Sequence, residues 1–248
     1  MAVTRWKRDV FPVLLCGAAL AAAQPPKPAA LTAEQILERS IEATGGRKAI
    51  EKVASTVAKG EIEILPDHAH ALIEYYAKAP AKRLIVTTFE GLGEIRQGCD
   101  GTSAWTQDPD RGVRDLAGAE KDAALRECVF HAAIKWREFY PKVELAGREK
   151  VGEREAHKIV MHPASGKPEI RYIDVENFLI LRQISNRETA KGGVEIRADM
   201  SDYRDVEGVK VPFQIRQTMP GYELLIKLYV VENNAVIDDA RFLKPAAK

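Results

Sequence analysis

From Ser55 onward the chain alternates apolar and polar residues in short runs, and each run stops at a turn signal. TVAKGEIEIL, AHALIEYYA, RLIVTTF, GEIRQG and TSAWTQ come first. After a break follow KVELAGREKV, EAHKIVMH, PEIRYIDV, FLILRQISNR, VEIRADMSDYRDV, VKVPFQIRQT and YELLIKLYVVE. GE, ASGK, EN, KGG, EG and MPG separate them. A period of two puts every second side chain on one face, which describes half-buried strands. Strands this short, with turn chemistry between them, predict an antiparallel meander of about eleven to twelve strands. A sheet that large curls or closes. The fold class is therefore mainly β: one large curved antiparallel sheet with covering helices.

Two stretches break the pattern. LTAEQILERSIEATGG carries a capping box, Thr32 with Gln35, and Leu31 is placed to pack on Ile36 as a hydrophobic staple. Ile36, Leu37 and Ile41 form one apolar stripe, and Gly45-Gly46 stops the helix. A short turn, RKAIEKV, follows. An amphipathic helix with one apolar face has to lie on something. The second break is AGAEKDAALRECVFHAAIKWREFY, residues 117–140, where Leu125, Val129, Ala132, Trp136 and Tyr140 recur at helical spacing until Pro141. One or two helices are expected there.

The N-terminus reads as a secretory signal peptide. Arg5, Lys7 and Arg8 precede the apolar run FPVLLCGAALAAA, with Ala21 and Ala23 before a polar, Pro-rich stretch. The domain organisation is thus residues 1–23 as signal, 24–30 as linker and 31–245 as one domain. The apolar run is shorter than the roughly 20 residues that span a bilayer, and no membrane-spanning segment is expected in the mature chain. Cleavage removes three basic groups and Asp9, taking the net charge from +1 to −1. A nearly neutral domain has no built-in attraction for nucleic acid. Cys99 and Cys128 remain; an oxidising compartment permits them to pair, and the bland alternative is two buried thiols.

No catalytic set emerges. HExxH, CxxC, GxSxG, the P-loop and the dinucleotide fingerprint are all missing from the sequence. His68 and His70 would share one strand face but read as a solvated strand start, so no metal is expected. Asp238-Asp239 and Asp199 with Asp202 are acid pairs of a kind common on surfaces. Trp105 sits between Asp100-Gly101, a hairpin signal, and Asp108-Pro109, a turn signal; both aspartates then have structural work. No cofactor, and no enzyme activity, is expected. A curved sheet instead has a concave face, which apolar side chains and a covering helix turn into a ligand cavity.

Several stretches together resemble one family. GCDGTSAWTQDPDRG is similar to the D-G-x-x-x-W-x-x-D-P hairpin of periplasmic lipoprotein-sorting carriers, the LolA/LolB-like superfamily, through Asp100, Gly101, Trp105, Asp108 and Pro109. The helix leading into Gly60-x-Ile62-x-Ile64 fits too. So do Asp174 with Leu179, and Asp202, Tyr203, Val206, Gly208, Val209 and Pro212. The resemblance implies a half-open β-barrel with an α-helical lid, located in the periplasm, holding lipid acyl chains. One departure stands out: Ala79 occupies the place before Pro80 where carriers have the arginine that latches the lid.

The expected function is a non-catalytic exported binding protein whose partner is a lipid or a lipoprotein acyl chain. Its apolar cavity would be lined by Leu72, Ile85, Ile159, Ile180, Phe213 and Leu225 from the strands, with Ile36, Leu37 and Ile41 from the lid helix. The alternative is an envelope protein–protein interaction module with a filled core, bound at sheet edges or through residues 117–140. A hydrolase would need a convergent polar cluster, which the sequence does not assemble.

Overall fold

A computed structural model describes residues 30–189 and 192–246. The expected signal peptide and all but Ala30 of the expected linker lie outside the described residues. The chain opens with α1 (Ala33–Thr44) and α2 (Arg47–Lys52). Thr32 and Gln35 form both halves of the capping box, satisfying two backbone donors that the first turn would leave bare. The helix ends at Gly45, whose φ is 134°. A Cβ there would lie 2.1 Å from the carbonyl oxygen of Gly208, so a bare backbone is what lets the helix end approach the sheet this closely.

A first meander then runs through β1 (Ser55–Leu65), β2 (Ala69–Lys78), β3 (Lys82–Phe89), β4 (Gly93–Cys99), β5 (Ala104–Asp108) and β6 (Gly112–Asp115). Helices α3 (Gly118–Glu127) and α4 (Trp136–Phe139) follow. A second meander comprises β7 (Lys142–Val151), β8 (Arg154–His162), β9 (Glu169–Asp174), β10 (Ile180–Thr189), β11 (Gly192–Val206), β12 (Val209–Met219) and β13 (Tyr222–Asn233). All thirteen strands form one antiparallel sheet in the order β6-β5-β4-β3-β2-β1-β13-β12-β11-β10-β9-β8-β7. The first meander walks from the centre to one edge. The second starts at the other edge and walks back, and the two join at the centre where β1 pairs with β13. The sheet is curled but unclosed, and the α3–α4 connection passes from one edge to the other.

Thirteen strands replace the eleven to twelve expected from periodicity. The additional one is β6, whose four residues GVRD are too few to display a period. The stripe Leu125, Val129, Ala132, Trp136, Tyr140 is not one helix face. Its backbone leaves the helix after Glu127 because tertiary partners compete for it: the Phe130 N–H donates to the Pro80 carbonyl at 3.0 Å, and the His131 ring bonds the Val53 carbonyl at 3.0 Å. Leu125 therefore packs beside Cys99 and Cys128, whereas Trp136 and Tyr140 join the core under α1. FLILRQISNR also starts later than its pattern suggests, at Ile180, because Phe178 occupies a turn with φ of 59°.

Opposed residues in an antiparallel pair share a face, so the register separates the two sides of the sheet. One row across the inner face runs Met200, Ile215, Ile226, Ile62, Ala71, Phe89. The next runs Arg171, Gln183, Ala198, Gln217, Leu224, Ile64. Helix α1 covers the same face at the β7–β9 end, where Ile36, Leu37 and Ile41 meet Ile159, Met161 and Ile173. Burying each such side chain stabilises by about 1.5–3 kcal/mol. On the outer face the C-terminal segment docks on Trp105, Tyr76 and Leu84 through Ile237 and Phe242.

Candidate functional site

The inner face of the central strands is apolar and only partly covered. Ile62, Ala71 and Ile226 are buried, and Ile64, Ile73, Phe89, Ile215, Leu224 and Leu228 pack around them half-buried. A separate cavity of about 290 Å³ lies beside α3, near the lower end of the size range of small-molecule sites. Helix α3 contributes Glu120, Ala123, Ala124 and Glu127 to its wall; β10 and β11 contribute Arg187, Val194 and Ile196; Met219 and Tyr222 come from the β12–β13 hairpin. The cavity thus lies under α3, between the two arms of the sheet.

Helix α3 is fastened differently to each arm. Cys128, at its end, forms a disulfide with Cys99 on β4, across a Cα–Cα distance of 6.7 Å. Arg83 on β3 reaches the Glu127 carboxylate at 3.0 Å and donates to the Glu127 carbonyl at 3.3 Å. On the opposite arm Arg187 reaches the same carboxylate at 3.2 Å. Partial burial disfavours a charged Glu127, but Arg187 and Arg83 outweigh it and hold the carboxyl below its ordinary value. Ala79, where the carriers' arginine would stand, takes no part in this link; Arg83 is the arginine that ties its arm to the helix.

A polar corner completes the inner face. The Tyr140 hydroxyl donates to Glu169 at 2.7 Å, and the Arg171 guanidinium lies 5.9 Å from the Tyr140 ring centre. Burial first, then Glu169, pushes the Tyr140 phenol well above its ordinary value, so it stays a donor at neutral pH. The Nε of Arg171 is buried and has no hydrogen-bond partner.

The residues expected to line a cavity divide into three groups. Ile36, Leu37, Ile41, Ile159 and Ile180 belong to the packed core beneath α1, with Ile36 and Ile159 fully buried. Ile85 and Phe213 lie on the inner face: Ile85 pairs with Tyr75 two residues from Ile73, and Phe213 precedes Ile215 by two. Leu72 and Leu225 require correction. Leu72 is 56 % exposed and pairs with Glu61 and Thr88; Leu225 pairs with Glu63 and Arg216. Both point to the outer face. Leu72-Ile73 and Leu224-Leu225-Ile226 are adjacent apolar residues, where alternation leaves the phase undetermined and only the register assigns it. Ile62, Ile73, Phe89, Ile215 and Leu224 line the floor in their place. Ile62 already carried a signal, as part of the Gly60-x-Ile62-x-Ile64 pattern.

In the Asp100–Pro109 stretch Trp105 and Thr106 border the cavity, while the two aspartates close turns. Asp100 accepts from the Thr102 and Ser103 N–H groups at 2.9 and 2.8 Å, and Asp108 accepts from Asp110 N–H at 2.8 Å. Gly101 has φ of 95°, and Pro109 follows β5. Trp105 is 2 % exposed, donates its Nε1–H to the Phe242 carbonyl at 3.2 Å, and lies against Gly98, where a Cβ would stand 2.4 Å from its ring. Among the described residues no three His, Cys, Asp or Glu converge as a metal site, and His68 bonds Glu63 at 2.6 Å on the surface.

No family model matches the chain, and no curated protein does. Solved structures do. A DUF1329 family protein from Desulfovibrio piger is similar with a TM-score of 0.60 at 13% identity, over 85% of this chain and 97% of that one. A LolA superfamily protein from Nitrosomonas europaea gives 0.57 at 15% identity, over 87% and 99%. A domain described as outer membrane lipoprotein-sorting, from Vibrio parahaemolyticus, gives 0.57 at 12% identity, over 85% and 97%. At these identities the likeness concerns the fold.

Proposed function

We propose that this chain, which has a LolA-like fold, is a non-catalytic exported binding protein that sequesters a lipid or a lipoprotein acyl group against its inner face. The observation that carries the reading is the apolar floor, the row from Met200 to Phe89, on the same face of the sheet as the cavity under α3. Apolar area removed from water contributes about 25 cal/mol per Å², so an acyl chain laid along this floor is held without any polar contact. Export is supported by the basic, apolar and small-residue order of residues 1–23. Lipoprotein sorting is named for the Vibrio domain and is the finer form of the same reading.

A filled core supports the alternative, an envelope interaction module. Under α1 the inner face is closed by Ile36, Ile159, Met161 and Ile173, up to the polar corner of Tyr140 and Arg171. One experiment separates the two. The protein is purified from a bacterial periplasm without detergent and weighed by native mass spectrometry, alongside lipid extraction. The expected result is a bound mass of lipid size, lost in Ile73→Asp and retained in Leu72→Asp, adjacent residues on opposite faces. A bare protein that also takes up no fluorescent fatty acid overturns the binding reading and leaves the interaction module.

A further inference from the structure

The inner face changes character from one arm to the other. The row Arg171, Gln183, Ala198, Gln217, Leu224, Ile64 begins with a guanidinium and ends in hydrocarbon. Four strand spacings separate Arg171 from Leu224, about 19 Å along the sheet at ~4.8 Å per strand, and less across its concavity. That is the scale of one amphiphile lying across the sheet, head on β9 and tail over β13 and β1.

Arg171 also combines a buried, unbonded Nε with the lack of an ion pair among the described residues. Two arginines have a buried Nε without a hydrogen bond, Arg171 and Arg197. Arg197 has Asp199 at 3.5 Å. On the inner face Arg83 and Arg187 share Glu127, and Arg114 pairs with Glu120. Among the described residues Arg171 has no carboxylate at ion-pair distance; its recorded neighbour is the Tyr140 ring. Glu169, two residues back on β9, already accepts from the Tyr140 hydroxyl. Arg126 on α3 acts on Tyr140 electrostatically as well, so two cations and one engaged carboxylate surround this phenol. A buried donor left unpaired is costly, and a guanidinium takes a carboxylate or phosphate through paired, charge-assisted hydrogen bonds.

We propose that Arg171 is the head-group anchor of the inner face and that the ligand is an anionic amphiphile, an acyl chain ending in a carboxylate or a phosphate monoester. This rests on the binding reading given above and narrows it, because an acyl group esterified or amidated at its end brings no anion to Arg171.

The test uses delipidated protein carrying the neutral fluorescent probe N-phenyl-1-naphthylamine, displaced by dodecanoate, dodecyl phosphate, dodecanol or inorganic phosphate. The expected result is that one or both anionic amphiphiles displace the probe about tenfold better than dodecanol, which corresponds to ~1.4 kcal/mol. Which of the two is stronger identifies the head, and inorganic phosphate displaces nothing. Arg171→Gln should erase the preference while leaving dodecanol unchanged, and Arg171→Lys should keep part of it. Circular dichroism and the melting temperature check that both variants fold, and Arg171→Lys carries the test if the glutamine variant does not. Equal displacement by acid and alcohol in the parent protein overturns the anchor and leaves acyl binding standing. So does a variant that weakens both ligands alike. If no amphiphile displaces the probe, the binding reading falls and the anchor with it.

Discussion

At the scale of single residues, the aspartates flanking Trp105 show how local chemistry decides a turn. Burial works against a charged Asp100, yet the N–H groups of Ser103 and Thr102 and both hydroxyls outweigh it and hold the carboxyl far below its ordinary value. Asp100→Ala should therefore cost about 1–2 kcal/mol in urea unfolding at neutral pH, the scale of a lost capping-type acceptor. The sign of its pH dependence follows from the lowered value. The stabilisation is fully present above the unfolded-state pKa, near 4, and is lost as pH falls toward the folded value. The gap between parent and variant should narrow below about pH 4, and a gap that stays constant to pH 2 would contradict this account. These two turns were legible in the sequence because their hydrogen bonds span two or three residues. The carbonyl that receives the Trp105 indole was not, since Phe242 lies 137 positions away. Nor could any pattern show that Arg171 lacks a carboxylate, because that is a property of what folding brings near it.

Among the elements, α3 is one whose place depends little on burial. Only Ala123 is buried within it, and Ala117 caps it without a side-chain bond. Its attachments are the disulfide and the Glu127 ion pairs at its C-terminal end and the Arg114–Glu120 pair in its first turn. They make different contributions. Closing a loop of 29 residues stabilises by roughly 3–4 kcal/mol in the chain-entropy model. The ion pairs are about a third exposed at Glu127 and screened by salt, so they contribute up to about 1 kcal/mol. Cys128→Ser should lower the melting temperature of the whole domain. Glu127→Gln should leave it nearly unchanged while speeding amide exchange in α3, more at low salt than at high. Equal effects of the two variants on global stability would refute this division. The sequence predicted helix here from spacing, and the first ten residues obey it. Residues 128–135 do not, and helix returns only at α4, because the Phe130 N–H turns to the Pro80 carbonyl and the His131 ring to the Val53 carbonyl.

For the molecule as a whole, periodicity identified nearly all the strands, and the turns between them their antiparallel sense. What it could not contain was how the meanders meet. Apolar pairs such as Leu72-Ile73 leave each strand free to present either face, and the pairing of β1 with β13 breaks the tie for the central strands by setting Ile62 opposite Ile226. That central pairing has a consequence in time. Ala54 and Asn234, hydrogen-bonded beside it, are 180 residues apart, so the middle of the sheet is made from the beginning and the end of the domain. Contacts that distant are slow to form, because the loop has to close before they stabilise anything. Refolding from urea, followed by tryptophan fluorescence with the disulfide intact, should take from milliseconds to seconds or longer, and a microsecond phase carrying the full amplitude would contradict this topology. During synthesis, β1 is soon followed by β2 but waits much longer for β13, its other neighbour. The join between the two meanders therefore stays open until β13 has been made, and only then is the middle of the sheet sealed.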